Sequence, residues 1–150
     1  LIDSPAGIER GFRNSIAPAD IVLVVTNPEV SAVRDADRII GLIEAEEKGP
    51  ARLVINRVNP VLIRRGDMLT SDDVTELLAV ELIGIVPEDE CVVVSSNRGQ
   101  PVALDAKSKA GIAFHNISRR LSGEQVPFLN LDSNDRFLNR LTKMLRSGGS

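Results

Sequence analysis

IVLVVTNPE, residues 21–29, begins with a run of five apolar residues, Ile21 to Val25. The run ends at Thr26, Asn27 and Pro28. Several of the apolar residues are β-branched, and turn formers follow them directly. A short apolar run of this kind predicts a β-strand over residues 21–25 that is buried on both faces. Strands buried on both faces are typical of parallel sheets covered by helices, so this stretch decides the expected fold class.

The segment that follows, residues 30–49, has the pattern of an amphipathic helix. Val33, Ala36, Ile40 and Ile43 recur at helical spacing. Ser31 is the expected N-cap of this helix, and Gly49 is the expected stop signal. The stretch therefore predicts a helix that packs one apolar face on the sheet.

Further strands and helices alternate along the chain. Residues 51–60 form a β-rich run, residues 70–80 read as a helix with a Thr70/Asp73 capping box, and residues 82–86 form another strand that ends at Pro87. A short apolar run that begins at Cys91 reads as β-rich. Residues 105–121 read as a helix with one apolar stripe: Ala106, Ala110, Ala113, Phe114, Ile117 and Leu121. The alternation predicts an α/β fold with a Rossmann-like, mainly parallel sheet.

Polar residues gather where the predicted strands end. They occupy residues 3–9, 26–29, 56–57 and 87–89. In open parallel sheets the ligand binds outside the carboxyl ends of the strands. We therefore expect these turns to converge on one binding site.

Composition limits the possible functions. The chain has 150 residues, a net charge of −3, and neither Tyr nor Trp, so it offers no general basic surface and few stacking platforms for nucleic acid. Cys91 is the only cysteine, which indicates a reducing compartment, and no apolar run of membrane-spanning length occurs. Only two residues precede Asp3 in the first apparent strand, so we expect the start of a larger domain to be absent.

Asp3 directly follows apolar residues and precedes SPAG, residues 4–7. An aspartate at a strand end can orient Mg²⁺ beside phosphates, and Gly7 permits close backbone approach. The motifs DSPAGIE, TNPEVSAVRDADRI, NRVNP, RRGDML, GIVPEDE and SNRGQPV follow in order. In this order and spacing they resemble the C-terminal part of septum-placing ATPases of the ParA/MinD family, the deviant-Walker-A group of P-loop NTPases. The resemblance covers nearly the whole chain.

The resemblance also implies what is missing. The family's glycine-rich phosphate loop with two lysines and its switch-I aspartate do not occur here. Because that loop holds the phosphates, the isolated chain is expected not to hydrolyse ATP and to bind ATP and Mg²⁺ weakly or not at all. The full-length family hydrolyses ATP and forms a homodimer when ATP is bound.

Site residues follow from matching the family's motifs to this sequence. Asp3 would be the Walker-B aspartate that acts on Mg²⁺ indirectly, and Gly7 would belong to the switch-II loop. The adenine pocket would be formed by Asn56, Arg57, Pro87, Glu88 and Asp89. An amide side chain can bond the edge of a base, and proline and the arginine stem can cover its faces. The alternative is that Asn56 and Pro87 only terminate strands.

Two further surfaces are predicted. The resemblance assigns Arg34, Asp35 and Asp37 to the surface that binds MinC- and MinE-type partners, although a charged helix face is more often simply solvated. In the tail, apolar residues recur at helical spacing with basic residues around them, as in amphipathic helices on anionic membranes: Phe137, Leu138, Leu141, Met144 and Leu145 with Arg136, Arg140, Lys143 and Arg146. Its alternative role is packing on its own domain.

These assignments divide the chain into part of a P-loop ATPase domain (1–123), a linker (124–134) and a membrane-targeting amphipathic helix (135–147). The implied location is the cytoplasm, peripheral on the inner face of the cell membrane, or the plastid stroma and inner envelope. Two other functions remain open: a non-catalytic membrane- and partner-binding module, and a ParA-like DNA-partitioning ATPase. The acidic composition argues against DNA binding, and the single His115 cannot form a metal site alone.

Overall fold

A computed structural model describes residues 1–5 and 10–131 of the chain. Three strands, β1 (Val22–Thr26), β2 (Ala51–Val58) and β3 (Glu81–Pro87), form a sheet in the order β1-β2-β3. Both pairings are parallel, with Val24 opposite Leu53 and Leu53 opposite Leu82. The predicted parallel α/β architecture is confirmed.

Helices connect the strands and cover the sheet. They are α1 (Arg10–Ile16), α2 (Val30–Ala45), α3 (Pro60–Arg65), α4 (Ser71–Leu78), α5 (Glu90–Asn97) and α6 (Lys109–Leu121), with a 3₁₀ turn at Val102–Leu104. α2 and α4 pack on one face of the sheet, and α6 packs on the other. Helices on both faces are what parallel crossover connections produce.

β2 carries the centre of the core. Leu53 and Ile55 are fully buried on the α2 and α4 side, whereas Val54 packs with Ala110 and Ile117 on the α6 side. Successive strand residues point to opposite faces, so this alternation buries both faces of β2. On α2 the buried residues are the four predicted ones: Val33, Ala36, Ile40 and Ile43.

The expectation that residues 21–25 are buried on both faces is wrong. Val25 is 60% exposed and Ile21 is 38% exposed. β1 lies at one end of the described sheet, so β2 is the only described strand that pairs with it. The apolar run identified a parallel strand correctly, but β2 is the strand that is covered on both sides.

Helix caps were predicted with mixed success. The capping box of α4 is confirmed, because Thr70 Oγ1 accepts from the Asp73 amide at 3.0 Å and Asp73 Oδ2 accepts from the Thr70 amide at 2.9 Å. Ser31 is not the N-cap of α2. Glu29 takes that position because the helix begins one residue after it, and the Val33 amide donates to the Glu29 carbonyl at 2.9 Å. α2 ends at Ala45, before Gly49.

Two other local predictions are wrong. The run that begins at Cys91 is helical, because Asp89 caps α5 and starts a helix there. Ala106 precedes α6 and is exposed, and Phe114 is 38% exposed, so neither belongs to the buried stripe. Within the described residues, no helix combines the length and apolar character needed to cross a membrane.

Candidate functional site

β2 and β3 end side by side at the carboxyl edge of the sheet. Val58 lies opposite Pro87, and the Glu88 amide donates to the Val58 carbonyl at 2.9 Å. Beyond this pair, Asn59 Nδ2 donates to Glu88 Oε2 at 2.8 Å, and Arg57 Nη2 lies 3.5 Å from Glu88 Oε1. We name Arg57, Asn59 and Glu88 the strand-end cluster. The structure therefore brings together two of the predicted adenine-pocket residues, Arg57 and Glu88.

Asn59 belongs to this cluster although it was not among the predicted site residues. Its Oδ1 accepts from the Val61 amide at 2.9 Å and from the Leu62 amide, which makes it the N-cap of α3. Pro60 occupies the first helical position. An asparagine directly before a proline is a helix-start signal, and that signal could have identified Asn59 in the sequence.

The backbone at Asn56 and Arg57 departs from a regular strand. The pairing between β2 and β3 shifts register between Ile55 and Val58, and Arg57 has a φ of 57°. Such left-handed geometry costs free energy for a residue with a side chain, and residues held in strained conformations cluster at active sites and ligand clamps. The shift leaves the Arg57 side chain 65% exposed at the sheet edge, and Asn56 is half-buried beside it.

Asp89 directly follows Glu88 of the strand-end cluster, and its carboxylate accepts hydrogen bonds from the N-termini of two helices. Its Oδ1 accepts from the Cys91 amide at 2.9 Å, and its Oδ2 accepts from the Ala110 amide at 3.2 Å. Burial favours a higher pKa for Asp89, but hydrogen bonds from Cys91, Ala110 and Lys109 outweigh it and hold the pKa below its ordinary value. Asp89 is thus an ionised residue that joins α5 and α6 behind the edge, and Pro87 is buried.

Cys91 and His115 have no arrangement suited to catalysis. The hydrogen bond between the Cys91 thiol and Asp89 raises the pKa of that thiol, with smaller contributions from burial and from nearby carboxylates. A thiol with a raised pKa is a poor nucleophile at neutral pH. His115 is exposed on α6.

Asp3 lies apart from the strand-end cluster. Residues 1–5 have no regular secondary structure, and Leu1 and Ile2 are exposed rather than buried in a strand. A groove of about 600 Å³ separates residues 1–4 from β1, and Asp3, Ser4 and Val25 line it. Gly7 and the rest of the predicted switch loop, residues 6–9, lie outside the described residues.

The described residues do not form a complete Mg²⁺ site. In residues 1–5 and 10–131, no three His, Cys, Asp or Glu side chains converge as metal ligands. Mg²⁺ usually keeps several waters and is held by one or two carboxylates together with phosphates. Asp3 would therefore supply one part of such a site, acting through water as the resemblance implies.

The predicted partner residues are all exposed on α2. Arg34, Asp35 and Asp37 are exposed outside the buried stripe of this helix. Asp35 forms an ion pair with Arg38, at 3.7 Å between Oδ1 and Nη1. Asp35 also lines a groove of about 460 Å³ between α2, β1 and residues 4–5. The acidic and basic side chains are therefore accessible to a partner.

The predicted membrane residues fall outside the described part of the chain. This holds for every one of them: Arg136, Phe137, Leu138, Arg140, Leu141, Lys143, Met144, Leu145 and Arg146. The amphipathic helix over residues 135–147 stays a prediction.

Comparison with known proteins identifies the family. No family model matches the sequence. The septum site-determining protein MinD of Synechocystis is 48% identical over 150 aligned residues, which cover 99% of this chain and 56% of that protein. The solved structure of the Aquifex aeolicus cell division protein MinD is 46% identical with a TM-score of 0.81, over 85% of this chain and 54% of that chain.

This chain belongs to the MinD family.

The MinD match covers about half of the length of each of these relatives. The Aquifex protein has also been solved as a MinC:MinD complex, which matches this chain with the same TM-score of 0.81. The Pyrococcus horikoshii MinD structure, complexed with Mg-ADP, is 22% identical with a TM-score of 0.68 over 79% of this chain and 48% of that chain, and it shows the shared fold alone.

Proposed function

We propose that this chain carries the base-recognition edge, the partner surface and the membrane tail of a MinD-type ATPase that places the division septum. The ATPase would bind ATP with Mg²⁺, dimerise with ATP bound, and recruit MinC- and MinE-type partners. It would act at the inner face of the cell membrane, or at the inner envelope in a plastid. The chain by itself would hydrolyse no ATP, because the phosphate-holding loop is not among its residues.

One observation carries this proposal. Asn56 and Arg57 interrupt the strand pairing just before the last residue of β2, and Arg57 adopts a left-handed conformation beside Glu88. Ligands of doubly wound sheets bind at this edge. The Asn56 amide offers both a donor and an acceptor to a base, and the exposed Arg57 stem can cover one face of the ring.

ATP turnover tests the nucleotide part of the proposal. We expect no steady-state ATP hydrolysis from the purified chain, and clear hydrolysis from a hybrid protein in which the remaining part of the Synechocystis relative completes it. In the hybrid, Asn56→Ala should weaken ATP binding roughly 2–12-fold, because one hydrogen bond to the base contributes about 0.5–1.5 kcal/mol.

Asn97→Ala is the matched control for the hybrid, because Asn97 is exposed at the end of α5. It should leave the dissociation constant unchanged. Hydrolysis by the chain alone would disprove its predicted inactivity. Equal ATP affinity of Asn56→Ala and Asn97→Ala would disprove the base pocket.

Partner binding would use the exposed charges of α2. We expect the double substitution Arg34→Ala and Asp37→Ala in the hybrid to weaken binding of a MinC-type partner at least tenfold, because a partner that pairs with these charges loses both. The measurement is a dissociation constant from biolayer interferometry. Glu44→Ala, an exposed acidic residue near the end of the same helix, is the control and should bind normally. A double variant that binds as well as this control would exclude the α2 surface.

Membrane attachment would use residues 135–147. Each basic residue near an anionic surface contributes about 1 kcal/mol, so one copy of the tail should bind weakly and a dimer much more strongly. We expect a peptide of residues 132–150 to co-sediment with vesicles of phosphatidylglycerol and not with vesicles of phosphatidylcholine. A peptide with Leu141→Glu should lose binding because its apolar face is interrupted. Equal sedimentation with both lipids, or none, would contradict this assignment.

A further inference from the structure

The last turn of α6 contacts the chain segment that follows this helix. α6 ends in a Schellman turn, in which the Glu124 amide donates to the Arg119 carbonyl at 3.0 Å and the Gly123 amide donates to the Arg120 carbonyl at 3.0 Å. Gly123 has a φ of 90°, a conformation that favours glycine. This turn reverses the chain, so residues 126–131 return alongside α6. We name residues 126–131 the exit segment.

Arg120 donates three hydrogen bonds to backbone carbonyls, two of them in the exit segment and one in β3. Its Nε donates to Val126 at 2.8 Å and its Nη2 donates to Pro127 at 2.9 Å, while its Nη1 donates to Ile83 in β3 at 2.9 Å. The guanidinium carbon also lies 4.2 Å from the centre of the Phe128 ring. One side chain therefore links the helix, the sheet and the exit segment.

The β3 carbonyl that accepts a hydrogen bond from Arg120 is that of Ile83, which lies at an irregular position in the strand pairing. Leu82 pairs with Leu53 and Gly84 pairs with Val54, so Ile83 is an extra residue in the ladder. A bulged residue lacks a regular ladder partner. Arg120 supplies a donor for it, and burial of the guanidinium lowers the pKa of Arg120 without discharging it.

The exit segment then crosses from one face of the sheet to the other. Leu129 packs with the cluster on the α6 side, and Leu131 packs with the cluster on the α2 and α4 side. β3 is the last strand in the described sheet, so this path runs along its outer edge. Covering a strand edge removes a template for pairing with other chains.

We propose that Arg120 is the positioning residue that fastens the exit segment across the edge of β3. The segment then acts as a fixed arm that is anchored at the Ile83 carbonyl. Ile83 lies four residues before Pro87 in β3, or about 13 Å along the strand. We name the contacts of Arg120 with Ile83, Val126, Pro127 and Phe128 the clamp. All of them are made within this chain, so the clamp depends on neither nucleotide nor membrane binding.

A single fluorophore can report on this clamp. The chain contains no Trp or Tyr, so Phe128→Trp introduces one indole at the ring that Arg120 contacts. In this background we expect Arg120→Lys to raise the acrylamide quenching rate of the indole several-fold and to lower its anisotropy. Lysine keeps the charge but cannot donate to three carbonyls in one plane.

Arg119→Lys is the matched control. Arg119 lies one residue earlier and forms a surface ion pair with Glu124, with Nε and Nη2 both 2.8 Å from Oε2. This variant should leave quenching and anisotropy unchanged, and circular dichroism should show native helix content in both variants. Equal quenching in the two variants, or a freely mobile indole before any arginine is changed, would overturn the proposal.

A second variant keeps the proposal testable if Arg120→Lys does not fold. Phe128→Ala leaves Arg120 intact and removes only the ring contact. We expect chymotrypsin to cleave after Leu129 several-fold faster in this variant than in the unmodified chain, because the exit segment opens more often. Equal cleavage rates would show that the ring does not help to hold the segment and would contradict the part of the proposal that rests on the contact between Arg120 and Phe128.

Discussion

The Gly111→Ala chain is expected to lose roughly 3 kcal/mol of unfolding free energy, because overpacking against rigid neighbours is costly. Gly111 lies in the first turn of α6. A Cβ atom there would clash with the Asp105 carbonyl and would lie 2.6 Å from the Val102 carbonyl and 2.9 Å from Ser108 Oγ. Two of these three atoms belong to the backbone, so no side-chain rotation relieves the overlap.

Gly41→Ala is the matched control, because Gly41 lies in the interior of α2 and a Cβ atom there would point into open space. Alanine should stabilise α2 by about 0.5–1 kcal/mol there, since glycine is a poor helix former. Urea unfolding followed by circular dichroism measures both variants. The two free energies should change in opposite directions. A Gly111→Ala chain as stable as the unmodified chain would show that the start of α6 packs less closely than the structure has it.

The Asp89→Ala chain is expected to lose about 2 kcal/mol of unfolding free energy at neutral pH, since each helix cap contributes about 1 kcal/mol. Asp89 caps α5 through Cys91 and binds the start of α6 through Ala110. Asp72→Ala is the control, because Asp72 is an exposed carboxylate in the first turn of α4. It should cost no more than about 0.5 kcal/mol.

The loss caused by Asp89→Ala should shrink in acid. The folded chain holds the pKa of Asp89 below its ordinary value of 3.8, so between the two values the unfolded chain binds more protons. Stability therefore rises with pH in that interval. The contribution of Asp89 is complete above pH 3.8 and disappears as the pH falls through the folded pKa. Urea unfolding at pH 7 and at several values below 4 measures it. A difference between the two chains that stays constant would show that the carboxylate is not what holds the helices.

Local sequence signals predicted the elements whose stability is local. The stripe of α2 and the capping box of α4 are confirmed because both depend on residues three or four positions apart. The boundary of α2 was missed by two residues, since Ser31 and Glu29 are both compatible with a helix start. The helix α5 was misread because an apolar run suits a strand and a buried helix equally well.

The candidate site was predicted in part. The positions of Arg57 and Glu88 at neighbouring strand ends follow from the parallel topology, and the structure joins them by an ion pair. Two further features depend on where α3, α5 and α6 begin in space. One is the hydrogen bond between Asn59 and Glu88, and the other is the use of both Asp89 oxygens as helix caps. The pairing shift at Arg57 depends on the neighbouring strand, so no property of its own segment reveals it.

The sequence by itself determined the parallel α/β class, the succession of β1, α2, β2, α4, β3 and α6, and the family, because apolar periodicity and ordered motifs are properties of neighbouring residues. Only the tertiary structure decided that β2, and not β1, is buried on both faces, that Gly111 meets two backbone carbonyls, and that Arg120 fastens the exit segment to Ile83. The physical reason is that burial, close approach and hydrogen bonding between segments far apart in the chain depend on how the elements pack, which no local pattern encodes.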